Sequence, residues 1–168
     1  MSGHSTQWTE EWDLEDVALP EDSNPSVALE SVCLGILDQL HAEAERLATG
    51  FMEAMLQARE SHPYQERGSI GVRVRRSPSP RSAPGVFMIE WFRVRGPRRT
   101  EYIPRGAGHR YPPRAFGRTE PWERELIETY EPRFAEIRAL LHQIAMLRRQ
   151  ARHLTDAVGR WEGIRNRY

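Results

Sequence analysis

Arginine gathers where the chain also carries aromatic residues and β-like alternation. Residues 61–118 hold 13 arginines against the acids Glu66, Glu90 and Glu101, a surplus of 10 positive charges in a 168-residue chain of formal net charge zero. Arg73 and Arg75 alternate with Val72 and Val74, and Arg76 follows them. Arg93 and Arg95 share the alternation of Trp91, and Arg98 and Arg99 crowd the turn after Gly96-Pro97. Arg105, His109, Arg110, Tyr111 and Arg114 sit in the segment YIPRGAGHRYPPRAFGR. A guanidinium grips a phosphate or a guanine edge through two parallel hydrogen bonds, and a two-stranded ribbon fits the DNA major groove. Arg73, Arg75, Arg76, Arg93, Arg95, Arg98, Arg99, Arg105, His109, Arg110, Tyr111 and Arg114 are therefore the candidate nucleic-acid contacts. The competing reading of the strand arginines is a solvated sheet face that balances acidic residues elsewhere.

Other chemistries have little support. The histidines, His4, His41, His62, His109, His142 and His153, are scattered without the H-x-H or H-E-x-x-H spacing that would put two on one metal, and no carboxylate cluster accompanies them. Neither a G-x-S-x-G nor a phosphate-binding glycine loop is present. Cys33 is the lone cysteine, so an internal disulfide is excluded, and its apolar neighbours Val32, Leu34 and Ile36 suggest a buried small residue. We therefore expect no catalytic residue, metal site or cofactor. All 24 basic residues are arginine; GC-rich codon usage accounts for most of that bias, so it permits nucleic-acid binding without arguing for it.

The elements that must position the arginines are legible from periodicity. Residues 1–24 carry seven acids, no arginine, and Trp8 and Trp12; this composition predicts a disordered acidic arm, able to cover the basic surface or to dock on a partner. Asn24 and Pro25 open a helix over 25–62, with Leu29, Cys33, Ile36, Leu40, Ala44, Leu47, Phe51, Met55 and Ala58 on one narrow face. Alternation predicts a strand from Ile70, a second over Val86–Arg95 and a third over Arg99–Ile103, with the proline- and serine-rich 77–85 as a loop. Trp91 is expected in the core. The glycine- and proline-rich stretch 104–118 is an irregular loop whose aromatics favour a functional role. Thr119 is the expected cap of a last helical region, 119–160, with Trp122, Leu126, Tyr130, Phe134, Ile137, Leu141, Ile144, Leu147, Ala151, Leu154 and Val158 as a second seam. Pro132 should kink or break it. In that helix LRRQARH either extends the basic surface or complements the helix dipole. The fold class is α+β: a basic β-hairpin or three-stranded antiparallel meander, 68–118, inserted between two long coiled-coil-like helices. The seams pair either within one chain or in a homodimer.

The segments IEWFRVRGPRRTEYIPRGAGHRYPPRAFGR and PWERELIETYEPRFAEIR carry a more specific signal. The pattern of E-W-[YF]-R at Glu90–Arg93, Y-I-x-[KR]-G at Tyr102–Gly106, R-Y-P at Arg110–Pro112 and W-E-x-E-L at Trp122–Leu126 resembles the MobI family of auxiliary conjugative-transfer proteins. The similarity spans roughly residues 68–145. It implies a role in initiating DNA transfer, with binding of double-stranded DNA at or near the origin of transfer and assistance to the relaxase that nicks it. It brings no catalytic residues with it.

Two functions follow as expectations. The first is a non-enzymatic DNA-binding accessory factor of bacterial conjugation, with the relaxase as a further partner. The second is a coiled-coil adaptor whose basic loop binds an acidic protein. No run of about 18 apolar residues is present to span a membrane, and the acidic N-terminus lacks the pattern of a secretory signal, so a cytoplasmic location is expected.

Overall fold

The computed structural model describes residues 25–63, 67–76, 82–96 and 99–165. The acidic arm 1–24, residues 77–81 of the 77–85 loop, and Arg98 lie outside the described residues. Two helices, α1 (Pro25–Glu60) and α2 (Pro121–Arg165), flank in sequence a sheet of three strands, β1 (Ile70–Arg76), β2 (Phe87–Val94) and β3 (Thr100–Tyr102). The sheet is antiparallel throughout, in the order β1-β2-β3. This is the expected α+β arrangement.

α1 ends where Pro63 excludes the helical conformation for the residue before it. Ser61 N–H bonds back to the Ala58 carbonyl, and the His62 ring Nδ1 lies 2.6 Å from the same oxygen. Across the chain α1 and α2 run antiparallel. Ser26 meets Thr155, Glu30 meets Arg148, and the Tyr130 hydroxyl crowds Gly50, where an added Cβ would lie 3.2 Å from it. The close approach at Gly50 accounts for a glycine in mid-helix despite its cost of roughly 1 kcal/mol relative to alanine. The two helices thus pair within the chain.

The predicted seams are displaced in detail. On α1, Leu37 is buried where Ile36 was expected. On α2 the buried positions Glu123, Ile127 and Glu131 stand one residue after the expected Trp122, Leu126 and Tyr130, which are half-buried. The shift has a geometric cause: this half of α2 packs on α1 and the sheet together, so its buried face is centred between the two contacts. Farther along, Leu147, Leu154 and Val158 are exposed: α1 still runs beside Ile144, Arg148 and Thr155, and Leu147 and Leu154 fall off the face that meets it, while Val158 lies past its first residues. Pro132 does not divide the helix, which continues from Pro121 to Arg165. Pro132 cannot donate a main-chain hydrogen bond, but the buried Glu131 and Phe134 hold the turns on both sides in place.

The cap of α2 also moves by one residue. The Glu120 carbonyl accepts from Arg124 N–H, making Glu120 the cap and Pro121 the first helical residue. Glu123 stands in the first turn, where an acid is favoured by the positive helix end. It is instead fully buried, and its carboxylate accepts the main-chain N–H groups of Ser69 and Ile70, each at 2.6 Å. β1 therefore starts where α2 starts, with Gly68 (φ 63°) making the entry turn against the same carboxylate.

Alternation along the strands separates two faces. Ile70, Val72, Phe87, Ile89 and Trp91 face the helices and are buried. Trp91 is wholly buried at the centre, edge-to-face with Phe51 of α1 at 4.8 Å, Phe116 of the following loop at 5.4 Å and Phe134 of α2 at 5.7 Å. Truncating such a residue costs about 3–5 kcal/mol, so this ring cluster is the main tie between sheet, loop and helices. Cys33 is buried with Leu37 and Ile144 in a smaller cluster at the far end of the helix pair.

Candidate nucleic-acid interface

Among the described residues no helix lies over the other face of the sheet, whose side chains are set by the strand register. Gly71 pairs with Phe92 and Arg73 with Glu90, while Phe92 also pairs with Tyr102 across β3. The Phe92 ring lies on Gly71, filling the space a Cβ would need. The Arg73 guanidinium sits 4.3 Å from the Tyr102 ring centre and 5.6 Å from that of Phe92, within cation–π range of both. Arg75 lies 6.0 Å from the same Tyr102 ring and 3.7 Å from the Glu90 carboxylate. The result is an arginine–aromatic surface in which the half-buried Arg73 lies over the rings and Arg75 is exposed.

The remaining strand arginines do not join that surface. Arg93 projects from the inner face at the end of the sheet, where its guanidinium donates to the main-chain carbonyls of Phe116 and Arg118. Arg76 reaches Asp38 of α1 at 3.3 Å. Arg95 pairs with Glu101 at 2.7 Å across the hairpin end, and Arg95 holds the Glu101 carboxyl below the usual carboxylate range through that hydrogen bond and its charge. Alternation alone put Arg73 with Arg75 and Arg93 with Arg95. The register shows the two pairs on opposite sides of the sheet.

The loop after β3 contains a 3₁₀ turn, Pro113–Phe116. It divides its predicted contacts in the same way. Arg99, Arg110 and Arg114 are exposed, and Arg105 and His109 are half-buried. Tyr111, expected at the interface, is a core residue at 5% exposure, packed near Phe116 and beneath the Arg138 guanidinium at 4.8 Å. Its burial, the largest influence, pushes the phenol pKa up, against the opposing effects of the Arg138 charge and a hydrogen bond with the Trp91 main chain. Tyr111 therefore positions the loop.

What holds the loop is a buried ion pair that the sequence pattern hid. Glu131 and Arg138, 3% and 4% exposed, are two turns apart on α2 and form a two-pronged pair at 2.9 Å. The Glu131 carboxylate also accepts from Trp91 Nε1 at 2.6 Å and from Tyr111 N–H at 2.7 Å. Arg138 also donates to the His109 carbonyl at 2.6 Å. One pair thus joins α2 to the central strand and to two points of the loop. The available signal was spacing: Ile127, Glu131, Phe134 and Arg138 recur at intervals of four, three and four, the helical period.

Within LRRQARH, Arg148 does neither of the two things expected of the run. It is buried, bonded to Glu30 at 2.6 Å and to the Pro84 carbonyl at 2.9 Å, and so ties both helices to the loop before β2. The rings of His109 and His142 approach to 5.2 Å, and among the described residues no group of three or more His, Cys, Asp or Glu side chains is placed to hold a metal ion. No helix among the described residues is long and apolar enough to cross a membrane.

No curated protein and no solved structure matches the chain. A family model described as MobI protein matches residues 40–152, from the middle of α1 through the sheet and loop to the last third of α2, a wider span than the motifs themselves. The match covers the sheet, its arginine face, the loop and the Glu131–Arg138 pair, and the chain belongs to the MobI family.

Proposed function

We propose that this chain is a non-enzymatic, DNA-binding accessory factor of conjugative transfer, acting at or near the origin of transfer beside the relaxase. Membership of a mobilisation family supports the process, and the observation that carries the DNA contact is the uncovered sheet face on which Arg73 and Arg75 stand among Tyr102 and Phe92. Rings that hold a guanidinium in place reduce the entropy lost when it meets a phosphate. Arg99, Arg105, Arg110 and Arg114 extend the contact from the turn and loop. Arg93 and Tyr111 support it from behind, through the Phe116 and Arg118 carbonyls and the Glu131 carboxylate.

The test is fluorescence polarisation with origin-region duplex in a salt series. Affinity falls by about 0.9 log units per log unit of salt for each phosphate neutralised, and Arg75→Ala with Arg110→Ala lowers that slope by about two. Absence of binding at low salt refutes the reading. A protein partner retained after nuclease treatment, with no DNA shift, selects the adaptor reading in its place.

A further inference from the structure

Pairing with α1 does not use up the apolar residues of α2. Leu140, Leu147, Leu154 and Trp161 recur at intervals of seven, and they are 43%, 44%, 67% and 57% exposed. At about 100° of helix turn per residue they share one line along α2, with the exposed Val158 in it and the exposed Ile164 at its edge. The line stands apart from Ile144 and Arg148, which face α1. Single exposed leucines are ordinary on a protein surface. An apolar residue at every seventh position over three heptads, about 32 Å of helix, is the pattern of a coiled-coil seam.

The charges around this seam are sorted by the same turn angle. Arg138 and Arg148 are buried in the ion pairs already described, and Arg149, Arg152, Asp156 and Arg160 stand on the far side of the helix with His142 and His153. The margins of the seam carry Arg133 and Glu136 at one end and Glu162 and Arg165 at the other, two charges of each sign. Between them the polar neighbours are the neutral Gln143 and Gln150.

We infer that this seam pairs two copies of the chain, antiparallel about a two-fold axis between Gln150 and Ala151. In that alignment Leu140 faces Trp161 of the second copy, Leu147 faces Leu154, and Glu136 faces Arg165 at both ends. A parallel pair would set Glu136 against Glu136 and Arg165 against Arg165, so the marginal charges select the antiparallel one. The exposed parts of the six apolar side chains amount to roughly 600 Å² per copy, or about 1,200 Å² for two, the lower end of the range for stable protein interfaces. The aliphatic stems of Gln143, Gln150 and Arg165 add to it. This modest area places the dissociation constant in the micromolar range. The seam lies opposite Glu131 and Arg138, the residues of α2 that meet the sheet and loop, so pairing leaves the arginine face of each copy open.

Sedimentation equilibrium of the full chain tests the pairing. The expected result is a monomer–dimer equilibrium with a dissociation constant on the order of 10 μM, raised about a hundredfold by Leu147→Asp with Leu154→Asp. Both side chains are exposed, so the thermal midpoint of that variant should match the parent and show that it folds. Glu136→Arg alone should raise the constant roughly tenfold, and adding Arg165→Glu to the same chain should restore it, because each swapped residue again meets its opposite. A monomer up to concentrations on the order of 200 μM overturns the inference. A dimer untouched by the leucine variant overturns it in favour of another surface. A dimer that the leucine variant dissociates but the charge swap does not restore overturns the antiparallel arrangement.

Discussion

Arg138→Met removes the cation of a buried pair while leaving the Glu131 carboxylate in place. The carboxylate then keeps only Trp91 Nε1 and Tyr111 N–H as partners, and the His109 carbonyl loses its donor. Breaking a buried pair from one side costs about 3–5 kcal/mol. Glu131→Gln removes the opposite charge and turns an amide NH₂ toward two donors, the Arg138 guanidinium and either Trp91 Nε1 or Tyr111 N–H, at a similar cost. Against a total stability of about 5–15 kcal/mol and a urea dependence of about 1–3 kcal/mol per molar, each variant should lower the unfolding midpoint by about 2 M. The double variant leaves neither charge unpaired, so its loss should fall short of the sum of the singles by about 2–3 kcal/mol. Equilibrium urea unfolding followed by tryptophan fluorescence measures all three, and exchange of the 104–118 amides should rise in each single variant. A cost under about 1 kcal/mol for either single variant, or additivity in the double, would refute the role given to the pair.

Other outcomes follow from the same contacts. Glu123→Ala orphans the N–H groups of Ser69 and Ile70 and should cost about 2–4 kcal/mol, with faster exchange at the start of β1 as the local readout. Gly71→Ala forces the Phe92 ring off the sheet; a loss of about 1–3 kcal/mol and weaker binding of duplex are expected, measured by thermal unfolding and polarisation. Tyr111 has a folded-state pKa raised from 10.0, so the stability it contributes is complete below pH 10 and lost as pH rises through the folded value; Tyr111→Phe should flatten the alkaline limb of a stability–pH curve.

The type of each major element was legible in the sequence because hydrophobic period is a local property. Alternation from Ile70 and across Phe87–Val94 has the strand period, and spacings of three and four mark both helices, so the α+β architecture follows without any long-range information. The family motifs were legible for the same reason, being contiguous strings. Face assignment is different. Alternation sets Arg93 in phase with Trp91 and Arg73 out of phase with Val72, but it does not say what lies over either face; the Ile70–Arg93 pairing and the bonds to Phe116 and Arg118 put Arg93 against the loop, and Arg73 lies on the open face with Tyr102 and Phe92. Glu123, Glu131 and Arg138 resemble surface charges of an amphipathic helix, because a carboxylate or guanidinium is normally kept in water by its desolvation cost. What cancels that cost here are donors and acceptors brought from Ser69, Trp91, His109 and Tyr111, residues distant in sequence that meet α2 only in the folded chain. Local pattern thus determined which elements form, while tertiary contact decided which charges they bury and which arginines remain available to a ligand.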